Sequence, residues 1–270
     1  MGKFKLKEGI NICTNSEYHG DKSYFSSSNL KLLLKNPEKF KHEIVDGSKP
    51  EEKQVNAFDE GNYAHTLILE PENVEAEYAF FTGFRKAGAD WESFKAANSD
   101  KIILSKPQKH RVEKWVEAYK ALPAAVSLVK GGESEYSLAG QLYDIPIKVR
   151  ADYINIESGY IADVKTTSYN TDIDSFKYVI DSLRYDLSAA LYCKMFENYY
   201  GKKFDFYFIV LGKRDNLCQV YRMSEATMRK GDLMVLEAIN KYKKCAESNI
   251  WTNEDKCDIM DVENYEILEV

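Results

Sequence analysis

The chain lacks any uninterrupted apolar run approaching the ~18 to 20 residues of a membrane-spanning helix, and its opening stretch MGKFKLKEGINIC lacks the ~7 to 15 residue apolar centre of a secretory signal. A soluble, unexported protein of the cytoplasm, in a bacterium or a phage-infected host and with no membrane partner, is expected. Cysteine is scarce and unpatterned: Cys13, Cys193, Cys218, Cys245 and Cys257 form an odd set with no CxxC spacing, and His19, His42, His65 and His110 are scattered. A disulfide framework, a zinc finger and a cysteine-held iron–sulfur cluster are excluded by that pattern. Positive charge is also short, with 37 Lys and Arg against 43 Asp and Glu for a net −6. The whole molecule therefore offers no broad electrostatic footprint for nucleic acid. A nuclease survives this test, since it needs acids for metal ions and basic groups along one groove only.

No low-complexity tract or internal repeat is present, and 44% of the 270 residues are hydrophobic. That length suits one sizeable core and is short for two. One domain over residues 1–270 is expected, mainly helical over 1–130 and sheet-bearing over 131–270.

After a turn-rich start, SYFSSSNLKLLLKNPEKFKHEI reads as a serine cap, an amphipathic helix, a stop at Asn36-Pro37 and a second short helix entered through the proline. SKPEEKQ is a polar connection. NAFDEGNYAHTLILEP then sets Phe58, Ala64, Leu67 and Ile68 at helical spacing up to Pro71, with Gly61 and His65 on one face. Residues 81–99 read as a long loop, KIILS as a short strand, and Pro107 to Leu122 as a helix. Beyond Gly131-Gly132, SEYSLAG, YDIPIKVRADYINI and YIADVKTT read as three strands turning at Gly140-Gln141 and Glu157-Ser158-Gly159. Two helices up to Gly201, strands KFDFYFIVLG and CQVYRMS, and a long terminal helix complete an α/β sheet wrapped by helices.

The chemistry concentrates in the three-strand block. Asp152 ends one strand, and Asp163-Val164-Lys165 lies in the next. Strand alternation points Asp163 and Lys165 to one face with Val164 behind them, and pairing of the two strands sets Asp152 beside Asp163. Two carboxylates and an ammonium around one point suit Mg²⁺, or Mn²⁺ in its place, at a phosphodiester. An aspartate in the otherwise apolar IADVKTT is costly unless paired or metal-bound.

Residues YHGDKSYFSSSNLKLLLKNPEKF (18–40), GNYAHTLILEP (61–71), RKAGADWESFKAANSDKIILS (85–105), VRADYI with IADVKTT (149–167), RYDLSAALY (184–192) and ESNIWTN near the end together resemble the PDDEXK-type nucleases of the RecB group, most closely the RecE-like exonucleases (exonuclease VIII type). The resemblance implies a PDDEXK core, a central mixed sheet flanked by helices with an N-terminal helical elaboration. It also implies a metal-dependent exonuclease on linear double-stranded DNA, acting 5′ to 3′ to leave a 3′ strand for a RecT-like annealing protein in phage-type recombination, often as a homo-oligomeric ring.

On this resemblance His65 in GNYAH matches the family's histidine near or on the metal, Asp152 and Asp163 its metal carboxylates, the Val164 carbonyl a further ligand, and Lys165 its catalytic lysine. Glu135 is the match to an upstream acid, with Glu133, two residues earlier on the same strand face, as the alternative. Arg150-Ala151-Asp152 stands where relatives often read Arg-Pro-Asp. Tyr185 and Tyr192 keep the helix pattern while Ser188 replaces its glutamine, and the two tyrosines are either DNA contacts or core aromatics. Lys22, Lys31, Lys35, Arg85, Lys86 and Lys95 are the candidates for phosphate contacts, whereas Lys241, Lys243 and Lys244 read as a solvated face. A related endonuclease, a single-strand nuclease and a binding module without catalysis on the same fold are the alternatives.

Overall fold

A computed structural model describes residues 4–48 and 59–252; Phe58, Cys257 and most of the polar connection after Ser48 lie outside them. The first turn-rich residues contain a short strand, β1 (Gly9–Asn11), and a helix, α1 (Asn15–Gly20). The cap is legible in hindsight, because Thr14 and Glu17 form a reciprocal capping box. Helix α2 (Ser27–Lys35) buries Leu30, Leu33 and Leu34 behind its Ser26 cap. Asn36 is extended, as a residue before proline must be, and α3 (Pro37–Phe40) follows.

Helix α4 (Asp59–Leu69) is followed, in order, by α5 (Val74–Glu77), β2 (Tyr78–Phe81), α6 (Ala89–Ala97) and β3 (Ile102–Ser105). The expected long loop over 81–99 is thus half helix. Its amphipathic signal is weak because only Trp91, Phe94 and Asn98 are partly covered, Trp91 and Phe94 against Phe81. Helices α7 (Lys106–Lys120) and α8 (Pro123–Ser127) lead to the main block: β4 (Glu133–Leu142), β5 (Ile145–Asn155) and β6 (Tyr160–Thr167). The β4–β5 turn sits at Tyr143-Asp144, both left-handed, and not at Gly140-Gln141, which stay in the ladder opposite Ile147 and Pro146. Strand β5 also runs on to Asn155, so Asp152 lies inside it.

Helices α9 (Ile173–Leu183) and α10 (Tyr185–Tyr200) carry the chain to β7 (Asp205–Gly212), β8 (Cys218–Arg222) and the long α11 (Glu225–Ser248). The six-stranded sheet has the order β1-β4-β5-β6-β7-β8, with β6 and β7 parallel and every other neighbour antiparallel. A parallel pair needs a crossover, which α9 and α10 supply. One apolar core fills the face under α2, α9, α10 and α11, around Ile147, Val149, Phe196 and Phe208. A second fills the opposite face under α4 and α7, around Tyr63, Trp115, Val164 and Ile209. The mixed sheet with helices on both faces is the expected PDDEXK-type core. Among the described residues no helix is long and apolar enough to cross a membrane.

Helices α10 and α11 touch through Gly231, where an added Cβ would fall 2.2 Å from the Asp186 carbonyl oxygen. Gly231→Val should therefore lower unfolding stability by about 2 kcal/mol, the usual scale for overpacking. Urea unfolding measures it, and an unchanged midpoint would show that the two helices separate without cost.

Candidate active site

Strands β5 and β6 pair over only three residues, from Asn155↔Tyr160 to Tyr153↔Ala162, and Asp152 and Asp163 are the first residues past the end of that ladder. On the other side of β5, the pairs Ser134↔Tyr153 and Tyr136↔Ala151 put Glu135 opposite Asp152, where the β4–β5 ladder is also interrupted. Glu135, Asp152 and Asp163 thus occupy one level of three adjacent strands, where the sheet opens. β6 stays locked to β7 from Tyr160↔Asp205 to Thr167↔Gly212, so the opening does not loosen Asp163 or Lys165. Asp152 uses the gap: its Oδ2 accepts the Val164 N–H at 2.8 Å, which the missing strand partner would have left unpaired.

Helix α4 brings His65 over this opening. Gly61, one turn earlier, lets it approach, since a Cβ there would lie 3.3 Å from Thr166 Oγ1, and Tyr63, Ala64 and Ile68 anchor its buried side. His65 Nε2 lies 2.7 Å from Asp152 Oδ2 and its Nδ1 3.2 Å from Glu135 Oε1. Burial opposes charge on the ring, but the two carboxylates outweigh it and push His65 up to about 10. Asp152 meets the converse balance: burial opposes its charge, and His65 and Lys165 hold it well below the usual carboxylate range. Asp163 is raised, by burial and then by the neighbouring Asp152 charge.

Lys165 pairs with Asp163 and lies 5.4 Å from the centre of the Tyr185 ring. Burial works against its charge, yet Asp163 and Asp152 raise it above an ordinary lysine. Arg150 closes the other side by donating from Nε to Glu135 Oε2, and its Nη1 donates to the Cys13 carbonyl at 3.1 Å. His65 and Lys165 each keep 26% of their side-chain surface open, while Asp163 beneath them is buried.

The structure settles which upstream glutamate joins the cluster. Glu135 takes a left-handed backbone, φ 50°, and meets His65 and Arg150, whereas Glu133 is exposed. Together with His65 and Asp152 it offers three ligand atoms within 4.8 Å of one another. Asp163 stands beside that trio, engaged by Lys165, and Val164 contributes its N–H to Asp152. Tyr185 belongs to the site wall; Tyr192 is half-buried, edge-on to Phe206, with its hydroxyl pushed up by burial and then by Asp163 and Asp152. Ser188 lies half-buried at the helical spacing that puts it on the same side of α10.

Among the expected phosphate contacts, Lys35 is exposed at the end of α2. Arg85 and Lys86 sit in the turn after β2, where Lys86 donates to the Ile103 carbonyl at 2.9 Å and covers the Trp91 ring. Among the described residues neither shares a hydrogen bond or ion pair with the acid cluster. Lys31, one of the expected phosphate contacts, does reach the site, and Arg150 is the site residue to which motif reading gave no role. For Arg150 a signal was present: in I-K-V-R-A-D the apolar 147, 149 and 151 face one core, so Lys148, Arg150 and Asp152 share the other face.

A family model described as a PDDEXK-like domain of unknown function (DUF3799) matches residues 26–263. No curated protein matches the chain by sequence. Among solved structures, one from Eubacterium rectale described as "Putative exonuclease" is similar over 92% of both chains, with TM-score 0.65 at 16% identity. At that identity the likeness shows the fold. Another, SSO0001, aligns with 47% of this chain and 70% of its own at 15% identity, and its TM-score of 0.27 carries no weight.

Proposed function

We propose, from the premise that the chain belongs to the PDDEXK-like domain family DUF3799, that it is a Mg²⁺-dependent exonuclease of linear double-stranded DNA. The observation that carries this reading is the convergence of Asp152, Asp163, Lys165, Glu135 and His65 where β5 and β6 part. The donor set fits a hard divalent cation: His65, Glu135 and Asp152 converge, and Asp163 adds a third acid whose charge burial and then Asp152 disfavour. His65 lies between Glu135 and Asp152, and as a neutral imidazole it would present a ring nitrogen to the ion. His65, Glu135 and Asp152, with Asp163 and the Val164 carbonyl adjoining, would hold the ion.

When bound, Mg²⁺ neutralises charge building on the phosphodiester and acidifies water. The chain's own residues supply the rest. Lys165, fixed between Asp163 and the Tyr185 ring, presents an N–H to the attacking water or to a phosphoryl oxygen. Asp152 is kept ionised by His65 and Lys165 and oriented by the Val164 N–H, and Arg150 holds Glu135 in place. The fixed backbone of β6 limits reorganisation during the reaction.

The 5′-to-3′ polarity, the 3′ overhang, the RecT-like annealing partner and the RecE-like type rest on the resemblance of residues 18–40, 61–71, 85–105, 149–167 and 184–192 and of ESNIWTN near the end. Net charge −6 favours a ring that encloses DNA over tight electrostatic grip. Linear duplex labelled at either end should release the 5′ label first, covalently closed circles should resist, and light scattering should give a small homo-oligomer. A monomer that nicks closed circles as fast as it degrades linear DNA would replace this reading with an endonuclease. Binding without cleavage in any divalent metal would replace it with a non-catalytic module.

A further inference from the structure

The charged groups around the acid cluster pair off, with one exception. Lys165 has Asp163, Arg150 has Glu135, and His65 has Asp152 and Glu135. Lys31, on α2, has no carboxylate within ion-pair distance among the described residues. Its Nζ instead lies 5.1 Å from the centre of the Tyr185 ring, the same ring that Lys165 approaches at 5.4 Å. Two ammonium groups therefore share one aromatic wall at the mouth of the site.

A cation over a tyrosine ring gains only about 0.5–1 kcal/mol when exposed, while removing an ammonium from water without a counter-charge costs more. The second ammonium, on Lys165, adds repulsion. Burial, and then Lys165, lower Lys31 to about 8. Asp163 and then Asp186, both beyond ion-pair distance, offset only part of this, and α2 holds the ammonium in place through the buried Leu30, Leu33 and Leu34 on either side of Lys31. The apolar stem and the ring contact fix where the head group sits, which a flexible surface lysine would not do.

Resting on the nuclease reading above, we infer that Lys31 is a phosphate-binding residue, receiving a backbone phosphate of the DNA strand held beside Lys165. It touches substrate and positions the strand; the acid cluster and Lys165 perform the cleavage.

Binding of a short fluorescent blunt duplex, measured in Ca²⁺ across a salt series, tests this on the full chain. Lys31→Gln should weaken binding ~10-fold and reduce the slope of log K against log salt by about 0.9, the signature of one lost phosphate contact. Lys31→Arg should restore most of both. Thermal unfolding of both variants checks the fold, and Lys31→Met serves if Lys31→Gln is destabilised. A salt slope unchanged in the Gln and Met variants overturns the inference, even if affinity falls, because a packing defect does not alter counterion release. A wild-type chain that neither binds nor cuts duplex overturns the nuclease reading and this inference with it.

Discussion

Lys165→Ala and Asp163→Asn should each reduce cleavage of linear duplex at least ~100-fold, the loss typical when one group that stabilises transition-state charge is removed. Their effects on stability should diverge, and that separates a chemical role from a structural one. Asp163 is buried beside Asp152, and its raised pKa means that the folded protein resists its charge. Asn, neutral and of the same shape, relieves that resistance, so metal-free Asp163→Asn should be as stable as the parent or more so. Lys165→Ala removes the cation that balances both acids and leaves them uncompensated, which destabilises. Steady-state rates together with thermal unfolding measure both. A folded Asp163→Asn protein with parental turnover would remove Asp163 from the site, and an Asp163→Asn protein that is inactive only because it is unfolded would make the residue structural.

The parts of the site that the sequence exposed are those set by local periodicity. Strand alternation alone placed Asp163 and Lys165 together with Val164 behind them, and helix spacing alone put His65 on the Gly61 face of α4. The pairing of Asp152 with Asp163 followed from antiparallel order, although the ladder stops just short of them. Where the backbone leaves its regular form, periodicity misleads. Glu133 and Glu135 are two apart and read as equivalent, but the left-handed φ of Glu135 turns it into the cluster while Glu133 stays in solvent. Tyr143 and Asp144 make the β4–β5 turn with positive φ at a position where a tyrosine gives no warning and Gly140 nearby attracts the assignment.

Long-range placement is the other thing that motif reading could not supply. Strand β1 pairs with β4 at the far edge of the sheet, across more than a hundred residues of chain, on only three residues. Lys148, the most buried of the basic residues on β5, donates to the carbonyls of Tyr18 and Asp21 and so docks α1 against the sheet. Arg85 and Lys86 share a segment with the expected family, yet they follow β2 in the small β2–β3 layer, where Lys86 makes its contacts. Lys31 stood in the same list of basic residues and reaches the site because α2 packs against α10. Sequence gave those lysines one identity; the packing of their helices and turns separates them.

Excess chelator should lower cleavage by ~1,000-fold or more, since a metal's stabilisation of phosphoryl charge amounts to several kcal/mol. Mg²⁺ or Mn²⁺ should restore it, and Ca²⁺ should support binding with little cleavage because its looser coordination positions water poorly. A readout independent of activity comes from stability. Glu135, Asp152 and Asp163 crowd one level of the sheet, and a cation that binds only the folded chain raises unfolding free energy by RT ln(1 + [L]/Kd), about 2.7 kcal/mol at a hundredfold excess over Kd. The melting temperature of the parent should therefore rise with Mg²⁺, and that rise should be largely lost in Asp152→Asn, which removes the acid shared by His65 and the Val164 N–H. Asp152→Asn should also abolish cleavage, whereas Glu133→Gln, in solvent on β4, should leave both the Mg²⁺ shift and the rate unchanged. Full activity in chelator would exclude a metal mechanism. A Mg²⁺ shift that survives in Asp152→Asn would place the ion elsewhere, and the convergence of His65, Glu135 and Asp152 would then be an ion-paired network with no metal role.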